Sequence, residues 1–229
     1  MVPAQLPYFS GVIKEMTDNY TKAISKQKPL KSKLAKLIRV VSVPPFMVSA
    51  MFLIFYFDNK IFANFEQLIC SLIFFAIIPV LAYPICAVVP KLKEKGREGE
   101  RNLAFILSIA GYTLAMGYAF FAQLGKGLML IYLSYFYSVI ILTVFNKLIK
   151  KRASGHTCAI AGPLIFLVFF EGVFFSIPCV SVFMLVVWAS LKLKRHTVEE
   201  IILGSMSALF AFSTAHLTLM NIIEKTSLF

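Results

Sequence analysis

Seven stretches of the chain, at residues 37–57, 67–89, 103–124, 127–145, 157–175, 178–191 and 201–222, are predominantly apolar. Most approach the roughly 20 residues that carry a helix across a bilayer core at about 1.5 Å per residue. Backbone inside lipid must satisfy its own N–H and C=O groups, so runs of this length are expected as helices. The sixth run is short, which gives six to seven transmembrane helices in an all-α, polytopic membrane bundle. Apolar residues make up 59% of the chain and charged residues 15%, with a mean hydropathy of +0.80. A soluble globule of that composition would have more apolar surface than it could bury.

Prolines 44, 45, 79 and 84 fall inside the first two runs, where kinks are expected. Gly125 and Gly127, flanking Lys126, read as a tight turn between the third and fourth. The stretch "FFEGVFFSIP" reads as a turn that leaves Glu171 near the far interface rather than embedded. Residues 1–36 differ in kind: Leu6, Phe9, Val12, Ile13 and Met16 precede a series of lysines. This is the pattern of an amphipathic, basic segment on anionic lipid headgroups, leaving residues 37–229 as a single transmembrane domain. No basic, apolar and small-residue series of the signal-peptide kind opens the chain. Cys70, Cys86, Cys158 and Cys179 lie in apolar runs without CxxC spacing, so buried thiols are expected rather than zinc ligands or disulfides.

The net charge of +12 does not indicate nucleic acid, because the basic residues sit in short loops between apolar runs. Alternating seven spans puts residues 1–36 and the loops 90–102, 146–156 and 192–200 on one side. That side holds twenty of the 23 lysines and arginines, eight of them up to Arg39, and only Lys60, Lys126 and Lys225 remain for the other. The positive-inside rule then assigns the basic side to the cytoplasm of an inner or cell membrane.

Three polar clusters share that side: "KLKEKGREGERN" (residues 91–102), "KKRASGH" (150–156) and "KLKRHTVEE" (192–200). Guanidinium and ammonium groups, a serine hydroxyl and backbone N–H groups at a helix start together favour a multiply charged oxyanion, most naturally phosphate. His196 and Glu200 are four residues apart, hence on one helix face, where the carboxylate can hold the imidazole in one tautomer. A histidine so held is a competent nucleophile toward phosphorus, and His156 across the site can protonate a leaving oxygen.

The ordered set "ASGH" (153–156), "HTVEE" (196–200) and the small residues of "ILGSMSA" resembles the type-2 phosphatidic acid phosphatase superfamily, whose motifs have the form KxxxxxxRP, PSGH and SRxxxxxHxxxD. The resemblance covers about residues 91 to 207. It implies a membrane lipid phosphatase that needs no metal or cofactor. Ser154 and Gly155 would bind phosphate, His156 would be the acid, His196 the nucleophile and Glu200 the orienting carboxylate. Ala153 stands in place of the motif proline. The first motif does not fit in register, which leaves Arg101 as the expected ligand with Arg97 and Lys95 beside it. Ser190 occupies the position of the third motif's arginine, so Lys194 or Arg195 is left to supply that charge, and Lys lacks the bidentate fork of Arg.

These residues lead to a hydrolase acting on a lipid phosphate: phosphatidate, a phosphatidylglycerophosphate-type lipid, or a polyprenyl phosphate or diphosphate. The alternative is a catalytically degenerate binder of anionic lipids on the same scaffold. A transporter is the weaker expectation, because polar groups within the runs are few; His216 reads as a packed helix histidine, and Glu199 as a solvated neighbour of Glu200.

Overall fold

The computed structural model describes residues 15–17, 31–58 and 61–226. The expected amphipathic segment from Leu6 to Ile13, with its lysines from Lys14 to Lys28, lies outside them. The described residues form α1 (Lys31–Val41), α2 (Pro44–Phe57), α3 (Phe65–Val88), the short α4 (Pro90–Lys93), α5 (Gly96–Ala122), α6 (Lys126–Leu148), α7 (Gly155–Glu171), α8 (Val173–Lys192) and α9 (Val198–Thr226). No strand occurs among the described residues.

Five helices, α3, α5, α6, α8 and α9, are long and apolar enough to cross a membrane. The first expected span is broken. Pro44 and Pro45 occupy the first turn of α2, where their missing N–H groups cost nothing, and α1 meets α2 at a bend of 54°. Counted together they make a sixth candidate. The fifth expected span is shorter than 157–175, because α7 stops after 17 residues, about 25 Å of helix. Gly172 ends it with φ +93°, a left-handed conformation that side-chain-bearing residues rarely adopt. A turn of 3-10 helix, Val173–Phe175, then starts α8, so "FFEGVFFSIP" is a turn.

The turn between α5 and α6 also departs from expectation. Gln123, not a glycine, takes the left-handed conformation after α5. Gly125 precedes α6 in extended backbone, and Gly127 lies inside α6, against the ring of Phe170. In α3 the helix widens to a π-turn at Ile73–Ile77, just ahead of Pro79, the kind of adjustment that accommodates an interior proline. The π-turn carries Phe75 into the core, where its ring meets those of Phe52, Tyr112, Tyr132 and Tyr135 at centroid distances of 4.8–5.8 Å.

The long helix α9 packs most extensively on α6 and α7. Its close approach to α7 depends on Gly204: a methyl group there would overlap the carbonyl oxygen of Ser154 and come within 3.2 Å of Thr157 Cβ. A hydrogen bond from the Ser154 N–H to the Glu200 carbonyl, 2.9 Å, ties the same two helix starts together. Gly204→Ala is therefore expected to lose about 1–3 kcal/mol through overpacking. Gly117→Ala in α5, where nothing lies within 4 Å, is expected to cost nothing or to stabilise slightly. Thermal unfolding of the two variants in detergent micelles measures the difference, and equal midpoints would contradict this packing.

Candidate active site

A cavity of about 1060 Å³ opens among the helix ends. Its polar part is lined by Arg97 and Arg101 of α5, Asn146, Lys147 and Lys150 at the end of α6, Arg152 to His156 leading into α7, and Arg195, His196 and Glu200 leading into α9. Of the expected phosphate ligands, Arg97, Arg101, Ser154, Gly155 and Arg195 meet here, with both histidines and Glu200. Two do not. Lys95 is exposed and precedes the first turn of α5, whereas Arg97 and Arg101, four residues apart, share the helix face that looks into the cavity. Lys194 adopts φ +51° and is absent from this cavity, lining instead a more open hollow of about 400 Å³ that shares Arg152, Arg195, His196 and Glu200 with it.

The histidines lie with ring centroids 6.2 Å apart and planes within 15°. His196 Nδ1 is 2.8 Å from Glu200 Oε2. A carboxylate only accepts, so Nδ1–H donates and the lone pair falls on Nε2. Arg152 Nε contacts the other oxygen of Glu200 at 3.1 Å, so the nearly buried carboxylate, 8% exposed, has a partner on each side. Glu199, one residue earlier, instead makes an exposed ion pair with Lys151 at 3.4 Å, a contact worth little.

His156 sits in the first turn of α7, ahead of its apolar run, with Nε2 buried and no protein hydrogen-bond partner among the described residues. Burial, then the charges of Arg39 and His196, push its pKa down to about 3, which favours the neutral ring at pH 7. His196 is also held below the ordinary imidazole value: burial lowers it most, the Glu200 carboxylate raises it, and Arg39 and Arg152 lower it. Both shifts favour the neutral rings, and an arriving dianion would favour the charged form of His156.

Side chains absent from the motifs fix this geometry. Asn146 donates through Nδ2 to the carbonyls of Leu142 (2.8 Å) and Ala153 (3.4 Å), and its Oδ1 accepts from the Ala153 N–H at 3.2 Å. It lies in a π-turn at Val144–Leu148, which is why no helical spacing singled it out. Ser154 caps α7: its Oγ accepts from the N–H and the hydroxyl of Thr157 at 3.1 and 2.9 Å, and its own proton stays available for an oxyanion. Ser190 is 2% exposed in α8 and absent from the cavity wall; its carbonyl accepts from the Arg195 N–H at 2.9 Å. Arg39 of α1 does line the cavity. The sequence pattern had grouped it with the basic charges that set topology.

Away from these groups the cavity becomes apolar, bounded by Val48, Phe75, Tyr112, Tyr135, Phe166 and Phe212. His216 is not part of it and packs on Phe212 and Phe169. No protein-family model, curated protein or solved structure matches this chain.

The two opposing influences on His196 can be separated. Glu200→Gln removes the groups that raise its pKa and leaves burial, Arg39 and Arg152, which lower it. The imidazole midpoint of His196, followed by NMR titration, is expected to fall further below 6.5. A midpoint that stays or rises would contradict the assigned bond.

Proposed function

We propose that this chain is an integral membrane lipid phosphate phosphatase related to the type-2 phosphatidic acid phosphatases, working through a phosphohistidine. The observation that carries the reading is the pair His156 and His196, parallel and 6.2 Å apart, with His196 bonded to Glu200 in a cavity lined by arginines. His196 Nε2 attacks phosphorus and the bond to the lipid oxygen breaks. His156, its positive charge supported by the bound dianion, delivers a proton to the departing oxygen. Water then attacks the phosphohistidine, His156 takes its proton, and phosphate leaves with His196 regenerated.

Arg97, Arg101 and Arg195 bind the phosphoryl oxygens, while Glu200 and Arg152 are positioning residues acting through His196. The apolar end of the cavity favours a lipid over a soluble ester, because it can cover hydrocarbon next to the headgroup. The substrate class is a lipid phosphomonoester or diphosphate, of which phosphatidate, phosphatidylglycerophosphate-type and polyprenyl lipids are the members to assay. Five long apolar helices, a sixth span from α1 with α2 and the shorter α7 as a seventh make up the six to seven spans of this reading, and the basic loops put the site on the cytoplasmic face of a cell or inner membrane. The absence of Ser190 from the cavity is the one feature that favours a second reading, a non-catalytic binder of anionic lipids.

Phosphate release by the purified protein from these lipids in mixed micelles is the test. Release is expected to resist EDTA, to be blocked by vanadate, and to fall at least about 10³-fold in His196→Ala. Activity that survives His196→Ala would sink the mechanism; lipid binding without release from any of the substrates would favour the binder.

A further inference from the structure

Arg39 has no place in the three motifs, yet its surroundings are those of a ligand-binding group. Ala35 and Arg39 of α1, with Ser42 just past its end, form one face: Ala35 is fully buried and Ser42 4% exposed. Leu34, Leu37 and Val41 form another, about half exposed or more. Arg39 is thereby turned into the cavity that also contains His156 and His196. Its Nη1 is buried and meets no protein acceptor among the described residues. The charges that act on it from neighbouring elements are those of Arg97 and Arg195, with the phenol of Tyr83 opposing them, and it acts in turn on both histidines.

A guanidinium withdrawn from water among other cations is unfavourable unless an anion joins it. The position where the resembling motif has its arginine is Ser190, whose short side chain is buried in α8 and does not line the cavity, so the guanidinium expected from that position is missing.

We propose that Arg39 binds the phosphoryl oxygens of the substrate beside His156 and His196, a guanidinium clamp supplied by α1 in place of the motif arginine missing at position 190. The proposal rests on the phosphatase reading above and makes α1 part of the active site. A fork of donors aimed at phosphoryl oxygens strengthens as charge develops on them in transfer. The lipid-facing side of the same helix would then hold the clamp in register with the bilayer.

The test compares wild type, Arg39→Ala and Arg39→Lys for phosphate release from phosphatidate in mixed micelles and for orthovanadate binding by calorimetry. Arg39→Ala is expected to lose about 100-fold or more in kcat/KM and to bind vanadate more weakly. Arg39→Lys should be intermediate, since it keeps the charge and loses the fork. Added guanidinium should restore part of the Arg39→Ala loss without helping wild type. A folded Arg39→Ala with wild-type turnover and vanadate affinity would overturn the proposal, as would loss without guanidinium rescue together with a lowered unfolding midpoint. Wild-type protein that neither binds vanadate nor releases phosphate would overturn the phosphatase reading along with it.

Discussion

The start of α7 lies directly on the start of α9, and everything at the cavity depends on that contact. Gly204 removes the side chain that would keep the helices apart, and the Ser154 N–H then reaches the Glu200 carbonyl at 2.9 Å. Those two residues flank the histidines: His156 follows Ser154 by two positions, and Glu200 holds His196. A small displacement of one helix start would separate the rings, and positioning errors near 1 Å are costly in catalysis. Asn146, bonded to Ala153 in both directions, braces the same junction from α6.

Around this junction the protein gathers like charges that do not stabilise it. Arg39, Arg97, Arg101, Arg152 and Arg195 line one cavity against Glu98, Glu100 and Glu200, and in the histidine cluster Arg152 pairs with the Glu200 carboxylate. Cations converging at the edge of a low-dielectric interior repel one another and lose hydration. Sequences retain such conflicts chiefly at functional sites. The low pKa of His156 belongs to the same field: burial and positive charge disfavour its protonation, a bias that a phosphoryl dianion would offset. On the proposed reading, the apolar wall from Val48 to Phe212 would extend the accommodation from headgroup to hydrocarbon.

Much of this architecture was legible in the sequence because hydropathy and helical spacing are local signals. Five of the seven apolar runs became helices of membrane-crossing length, and His196 with Glu200, four residues apart, met as the spacing required. What was not legible depended on direction or on tertiary placement. Lys95 and Arg97 are close in sequence, but the helix face carries only Arg97 into the cavity. Arg39 looked like a topogenic charge until the 54° bend before α2 turned its helix. Asn146 sits in a π-turn, where helical spacing no longer indicates a face, and Ser190 marks a motif position whose side chain is packed elsewhere.

The central claim is covalent chemistry at one nitrogen of one histidine. Purified protein turning over a ³²P-labelled lipid phosphate, quenched rapidly in alkali where phosphohistidine survives, and mapped by peptide mass spectrometry, addresses it directly. The account predicts label on His196, absent when the lipid is omitted and chased by unlabelled substrate. Turnover with no label at His196, or label on another residue, would contradict it.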